Sequence, residues 1–407
     1  MIYLRTKRKD CIKMTETTRH AAIPTIQGFL YQFYIALLEI LNSDNPSALL
    51  SIESLDDIVI ENNGTPEAII QVKHHNKQSN LTNTSTDLWK TLNIWCDLLL
   101  QDKIEEKSVL YLITTQSITE NTIAYYLSKK DIDEAKKAIL KTIDSSNSSA
   151  NKTYYDKFKD ELTDEQKQFL LEHIYISDNH FSFDEVKKRL ETKLELACRK
   201  EHIKHFVEQL VDWFRGRIAD DFSKNKPANI KRKDITDKID DLREQFKNDN
   251  LPTYDKISKE KIDTNEFNNH LFVKQINLLQ LNNTDRIINA MADFYNARLH
   301  RSKWVSELLI THELEKYDDE LIDKWKVKFN QEKENLTSNS TDEEERNIGK
   351  NVFNWIEKSE YSIRPNFTNK SFITRGSYHM LANNDDLKVG WHPKYKELLQ
   401  SDNGENQ

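Results

Sequence analysis

Two adjacent carboxylates, Asp56 and Asp57, stand before an Ile-Val-Ile run, and beyond an Asn-Gly pair the triplet Gln71-Val72-Lys73 closes a second apolar run. Side chains alternate across a strand, so Gln71 and Lys73 share one face while Val72 takes the other. Phosphodiester hydrolysis needs a metal on oxygen ligands, an activated water, and positive charge near the developing phosphorane. Mg2+ prefers a few carboxylate or carbonyl oxygens with water completing an octahedron, and Mn2+ substitutes in such a site. Asp57, the Gln71 amide oxygen and the Val72 carbonyl would supply those ligands, and Lys73 would orient the attacking water. Alone, Asp-Asp before a strand is often just a turn, and a strand lysine is often a solvated edge residue. Two polar residues sharing a face after an unbroken apolar pair favour the catalytic reading. A one-residue register change would exchange Asp56 for Asp57; Asp57 is preferred because it immediately precedes the apolar strand. Glu53 either joins this set or pairs with a surface lysine.

The elements that must position these residues are legible around them. Residues 24–42 read as a buried helix, apolar around most of its circumference. Its polar interruptions, Gln32 and Glu39, are two turns apart and fall on nearly one face. A buried glutamate without a partner is costly, so Glu39 calls for a role. Strands follow at 49–53, 58–61 and 68–74, with the Asn-Gly pair as a hairpin turn. Residues 85–101 form an amphipathic helix with a capping box from Thr84 to Asp87, and 109–115 a fully buried strand. Helix, strands, helix, strand is an α/β order, a mixed sheet flanked by helices. His74 and His75 trail off the strand, where a phosphate contact competes with idle exposure. Trp89 would stack on a base or, at helical spacing with Leu92 and Cys96, belong to the core. Lys90 is the better DNA-facing residue of that helix.

The strings Gly28-Phe-Leu-Tyr31-Gln32, Glu53-x-x-Asp56-Asp57-Ile, Gln71-Val-Lys73-His74 and Asp87-Leu-Trp89-Lys90-Thr91 resemble the PD-(D/E)XK-type double-stranded DNA endonuclease domain of antiphage effectors. That type occurs in cyclic-nucleotide-triggered defence and in Lamassu-type systems. The resemblance spans about 20–220, with its motifs confined to 28–91. It implies a restriction-endonuclease-like N-terminal domain whose metal-dependent active site is Asp57, Gln71 and Lys73. The first-helix glutamate corresponds to Glu39, and Tyr31 and Gln32 brace the site. Gln71 replaces the acidic residue of the usual motif, which weakens charge neutralisation at the metal.

The C-terminal segment, with Arg375-Gly376-Ser377-Tyr378-His379 and Val389-Gly390-Trp391-His392, is similar to C-terminal domains of proteins encoded with an SMC-like ATPase and a small third subunit. That likeness implies partner subunits that restrain the nuclease until release and oligomerisation. Read from its residues, the segment is an aromatic-cored terminal cap, and its functional version is a docking surface. Nothing resembles a cyclic-oligonucleotide sensor, and no GxxxxGK[ST] loop is present. Non-catalytic DNA binding or adaptor work in the same kind of complex is the rival function, and an RNA substrate is a further alternative.

Whole-chain properties bound these readings. A chain of 407 residues suggests two or three domains. With 37% hydrophobic residues, 31% charged, and seven each of Gly and Pro, long polar helices dominate. A formal charge of -8 does not advertise a nucleic-acid binder. Three scattered cysteines exclude a disulfide framework and a zinc site and point to a reducing, cytoplasmic setting. No apolar run is long enough for a membrane span. The expected organisation is a basic arm at 1–20, the nuclease-like domain at 21–222, a helical domain at 223–334, an acidic linker or loop at 335–347, and the docking segment at 348–407. One long basic helix is expected near 183–205.

Overall fold

The computed structural model describes residues 16–52, 57–75, 78–310, 312–334 and 336–402; for 16–25, 57 and 400–402 it describes the backbone alone. The chain divides into two units. One takes the chain up to Ala197 with Phe206–Asp240, and the other Cys198–His205 with the chain from Asp241 onward.

The first unit holds a mixed sheet flanked by helices. Helix α1 (Glu16–Asn42) leads into β1 (Leu49–Ile52), β2 (Asp57–Asn62) and β3 (Thr65–Lys73), then β4 (Asn80–Leu81), α2 (Thr86–Leu100), β5 (Val109–Thr114) and β6 (Ser117–Ile118). Helices α3 (Ile123–Ser128), α4 (Ile132–Ser145), α5 (Lys152–Asp156) and α6 (Asp164–His173) precede β7 (Ile174–Ser177). Then come α7 (Phe183–Lys193), α8 (Ile203–Ser223), β8 (Ala228–Lys231) and α9 (Arg232–Gln245). Six strands form one sheet in the order β7-β5-β3-β2-β1-β8. The β1–β2–β3 meander and β8 are antiparallel to their neighbours, whereas β5 and β7 run parallel to β3 and to each other.

Local chemistry explains the meander. Asn63 and Gly64 both have positive φ, 52° and 84°, the conformation a two-residue type I′ turn demands and that Asn-Gly tolerates best. A bulge at Glu67, between the Ile60–Ala68 and Glu61–Pro66 pairs, lies beside the proline in β3. Ile69, Leu110, Leu112 and Ile174 pack with Leu88, Trp89, Leu92 and Trp95 of α2 and with residues of α3, α4 and α6 in one core. That defines the α2 face of the sheet. On the other side, the α1 residue Tyr31 lies against His74, which follows β3.

Three expectations need correction here. The Lys-rich stretch at 223–233 is not a domain junction. Ala228 and Ile230 are buried while Asn229 and Lys231 are exposed, and this period of two makes β8 an edge strand beside β1. The first unit therefore runs past 222 to Asp240. The long helix expected near 183–205 is two helices, since α7 ends at its C-cap Leu194 and α8 begins at Ile203. The acidic run Asp342–Glu345 is the first turn of a helix, capped by a Thr341–Glu344 box, where negative charge meets the helix N-terminus favourably. The basic arm lies outside the described residues up to 15, and from Glu16 the chain is already helical.

The second unit is helical. Its elements are α10 (Thr264–Phe267), α11 (Leu271–Asn277), α12 (Thr284–Ser306), α13 (Glu313–Lys333), α14 (Asp342–Lys358), α15 (Ser371–Ala382) and α16 (Tyr395–Asp402). Helices on both sides of the expected 335–347 break belong to this one unit. Gly376 lets α15 close onto α12: a Cβ there would sit 2.1 Å from the Asp293 carbonyl oxygen. Arg375 then pairs with the Asp293 carboxylate through Nε and Nη2.

Candidate functional site

The hairpin register brings the central residues together. Asp57 lies directly opposite Gln71 across β2 and β3. The Lys73 carbonyl accepts from the Thr115 N–H, on the β5 side. Backbone groups alternate in direction along a strand, so those of Gln71 also turn to β5, and the Val72 carbonyl turns to the β2 side, where the described pairing ends at Asp57. Asp57 and Gln71 thus form a non-hydrogen-bonded pair, whose Cα atoms stand about 4.5 Å apart.

Gln71 is the unusual member. It is 0% exposed, and neither its Oε1 nor its Nε2 has a hydrogen-bond partner among the described residues. Leaving a buried amide unmet costs free energy, so a native fold that keeps one calls for a reason. Lys73 is only 8% exposed and shares the Gln71 face. That face is the α2 side, because Gln71 pairs with Leu112, a residue of the α2 core. Glu53 and Asp56 lie outside the described residues, and of Asp57 only the backbone is described.

The remaining candidates divide between the two sides of the sheet. Tyr31 on α1 donates its hydroxyl hydrogen to the Phe181 carbonyl at 2.8 Å and accepts from Nδ1 of His180 at 2.9 Å. Burial, followed by the Arg189 charge, pushes the His180 imidazole down to about 4, and burial lifts the Tyr31 phenol above its usual range. His74 packs its ring against Tyr31 at 4.7 Å, and its pKa is lowered by burial and by His75. It is half-buried with Nδ1 unpartnered among the described residues, so as a DNA contact it is poorly placed. Gln32 and Glu39 belong to α1. Gln32 is buried with Nε2 unpartnered among the described residues, and burial raises the Glu39 carboxyl above its ordinary value. The structure joins Asp57, Gln71 and Lys73 by register and alternation, and it groups Tyr31 with His74 and His180 toward α1.

On the α2 side, His75 binds the Asp87 carboxylate at 2.7 Å. This contact replaces the expected capping box: the N-cap of α2 is Ser85, with no side-chain cap bond. Trp89 is buried, its Nε1 donating to the Asn83 carbonyl and its ring edge-on to Tyr155, which makes it core and excludes base stacking. Lys90 is exposed on α2. Sequence reading had no signal for the Tyr31–His180 bond, whose members stand 149 residues apart. The His75–Asp87 contact was hidden because Asp87 reads as a capping residue.

In the second unit Tyr378, His379, Trp391 and His392 are buried. His379 is driven down to about 3 by burial and the Arg375 charge, and its ring sits among Phe272, Phe353 and Trp391. These side chains form an aromatic core, which settles their two readings in favour of packing; any docking surface lies in other residues. Among the described residues no group of three or more His, Cys, Asp or Glu is arranged to hold a metal, and no helix is long and apolar enough to cross a membrane.

In comparison with known proteins, residues 272–399 match the family model described as C-terminal domain 7 of the ABC-three component (ABC-3C) systems. Among solved structures, the chain is similar to the Cap4 SAVED/CARF-domain containing receptor of Moraxella osloensis. The identity is 18% and the TM-score 0.33, over 53% of this chain and 47% of that one. It is also similar to the Acinetobacter baumannii Cap4 receptor with the cyclic trinucleotide 2'3'3'-cAAA, at 14% identity and a TM-score of 0.32, over 68% of this chain and 59% of the other. The chain thus spans about half to three fifths of these receptors' length. No curated protein matches it.

Proposed function

We propose that this protein is a Mg2+-dependent DNA endonuclease of a bacterial antiphage system, its first unit cutting and its second docking to partner subunits. The observation that carries the reading is the pairing of Asp57 with a wholly buried Gln71, unpartnered among the described residues, on the face that also bears Lys73. A hard cation takes amide and carbonyl oxygens along with carboxylates. The residues present fit such an ion: Gln71 Oε1 lacks a partner among the described residues, and the Val72 carbonyl turns to the β2 side of the strand, where the described pairing has ended. The order helix, three-strand meander, helix, parallel strand supports the restriction-endonuclease-like domain that the sequence resemblance implies. The match of residues 272–399 to a domain of ABC-three component systems supports the defence setting and a multi-subunit assembly. An ABC-type ATPase would be one partner, in the SMC-like form the sequence resemblance named, with a small third subunit.

Asp57, Gln71 and Val72 would hold the ion, which when bound polarises the phosphate and acidifies a water. Lys73 would orient the attacking water and offset charge on the phosphate in the transition state from a desolvated position, where an ammonium acts more strongly than in bulk water. One such site cuts one strand, so a double-strand break requires two copies of the chain acting together, an oligomer formed on release from the partners. Gln71 in place of an acid weakens the metal site, and that neutrality favours the second reading, a DNA-binding adaptor without cleavage.

Purified protein incubated with plasmid and Mg2+ separates the two. Nicking that Lys73→Ala lowers by about 100-fold or more supports the endonuclease. DNA binding that ignores Mg2+, with no nicking at any protein concentration, supports the adaptor.

A further inference from the structure

The two histidines after β3 turn in opposite directions, and the one facing the Gln71 and Lys73 side is His75. His74 meets Tyr31 of α1; His75 meets Asp87 in the first turn of α2, Nε2 to Oδ2 at 2.7 Å. Thr115 clamps the backbone of His75 at both ends. Its Oγ1 accepts from the His75 N–H at 2.8 Å and donates to the His75 carbonyl at 3.2 Å. The pair is open to solvent, with side chains 37% and 32% exposed. Nε2 is committed to the carboxylate, and Nδ1 has no hydrogen bond among the described residues. An imidazole oriented by a carboxylate through one nitrogen is set to exchange a proton through the other.

Resting on the nuclease reading, we propose that His75, oriented by Asp87, donates the proton to the leaving 3′ oxygen of the cut DNA strand. In that step the water oxygen bonds to phosphorus and the P–O3′ bond breaks. Its electron pair goes to O3′, which takes the Nδ1 proton. The proton released by the water passes to solvent, and solvent reprotonates His75. One water is consumed per bond, and a 5′-phosphate and a 3′-hydroxyl remain.

A DNA strand with sulfur in place of the scissile 3′ oxygen tests this, because a thiolate leaves without a proton. With Mn2+, which tolerates sulfur, His75→Ala and His75→Asn are each expected to slow cleavage of the ordinary strand by about 100-fold or more. Both should cut the sulfur strand within about threefold of the native rate, and Asp87→Asn should show the same selectivity to a smaller degree. A second readout uses no metal. In EDTA the His75 ring nitrogen resonances, identified by their loss in His75→Asn, are expected to shift when a short duplex is added. Equal slowing of both strands by both His75 variants at an unchanged unfolding temperature, or no resonance shift, overturns the proposal. If native protein cuts while Lys73→Ala does not, and the His75 variants keep native rates on both strands, the donor role alone falls. If folded native protein cuts neither strand, the nuclease reading falls and takes this role with it.

Discussion

Replacing Gln71 by methionine should stabilise the metal-free protein while removing its response to Mg2+. The amide is fully buried, and both of its polar atoms lack partners among the described residues. A buried, unsatisfied polar group costs about 1–3 kcal/mol. Methionine keeps the unbranched shape and carries no amide to desolvate. Taking about 2 kcal/mol for the group, and about 2–4 °C per kcal/mol for a unit of 150–250 residues, the first unit should melt about 4–8 °C higher in EDTA. Native protein gains further stability from Mg2+ by mass action, in proportion to the logarithm of its concentration over Kd; Gln71→Met should gain almost none. Calorimetry of both proteins, in EDTA and across a Mg2+ titration, measures all four quantities. A Gln71→Met protein less stable in EDTA would mean that the amide is satisfied in the metal-free fold. Equal stabilisation of both proteins by Mg2+ would remove Gln71 from the metal site. Either result refutes the reasoning, since it ties the burial of an unmet amide to the ion.

Two further outcomes follow from burial. Glu39 has its folded pKa raised by desolvation, so the native state holds its proton to higher pH than the unfolded chain does. Stability then falls as pH rises from the unfolded pKa, about 4.3, through the folded one. Denaturant unfolding should show Glu39→Gln more stable than native protein at pH 7 and nearly equal to it at pH 4. Gly376→Ala places a Cβ against the Asp293 carbonyl at 2.1 Å, and forcing α15 from α12 should cost about 3 kcal/mol or more. Chemical denaturation of the second unit checks this, and a loss under about 1 kcal/mol would mean that the helices shift apart easily.

The candidate site was written locally. Residue types at fixed spacing put Gln71 and Lys73 on one face, and Asn-Gly fixed the hairpin that carries them, because strand alternation and left-handed turn conformations are properties of short segments. The strands at 49–52 and 109–114 were legible for the same reason, as short apolar runs bounded by polar residues. An edge strand among lysines was harder to see: Ala228 and Ile230 provide two buried positions inside a run that reads as solvated. The acidic stretch before α14 carried its Thr-x-x-Glu signal, yet its charge made it look like a linker.

What the sequence by itself determined is therefore the shared face of Gln71 and Lys73, the elements that bear the candidate set Asp57, Gln71 and Lys73, and the C-terminal aromatic core. Tertiary structure alone decided that Gln71 would be sealed without a partner among the described residues, that Asp57 would stand opposite it, and that His75 rather than His74 would face that side. It also decided that Asp87 would bind His75 instead of capping its own helix. Such contacts depend on which element closes over which face of the sheet, and that choice is set by packing between segments far apart in the chain, such as Tyr31 and His180.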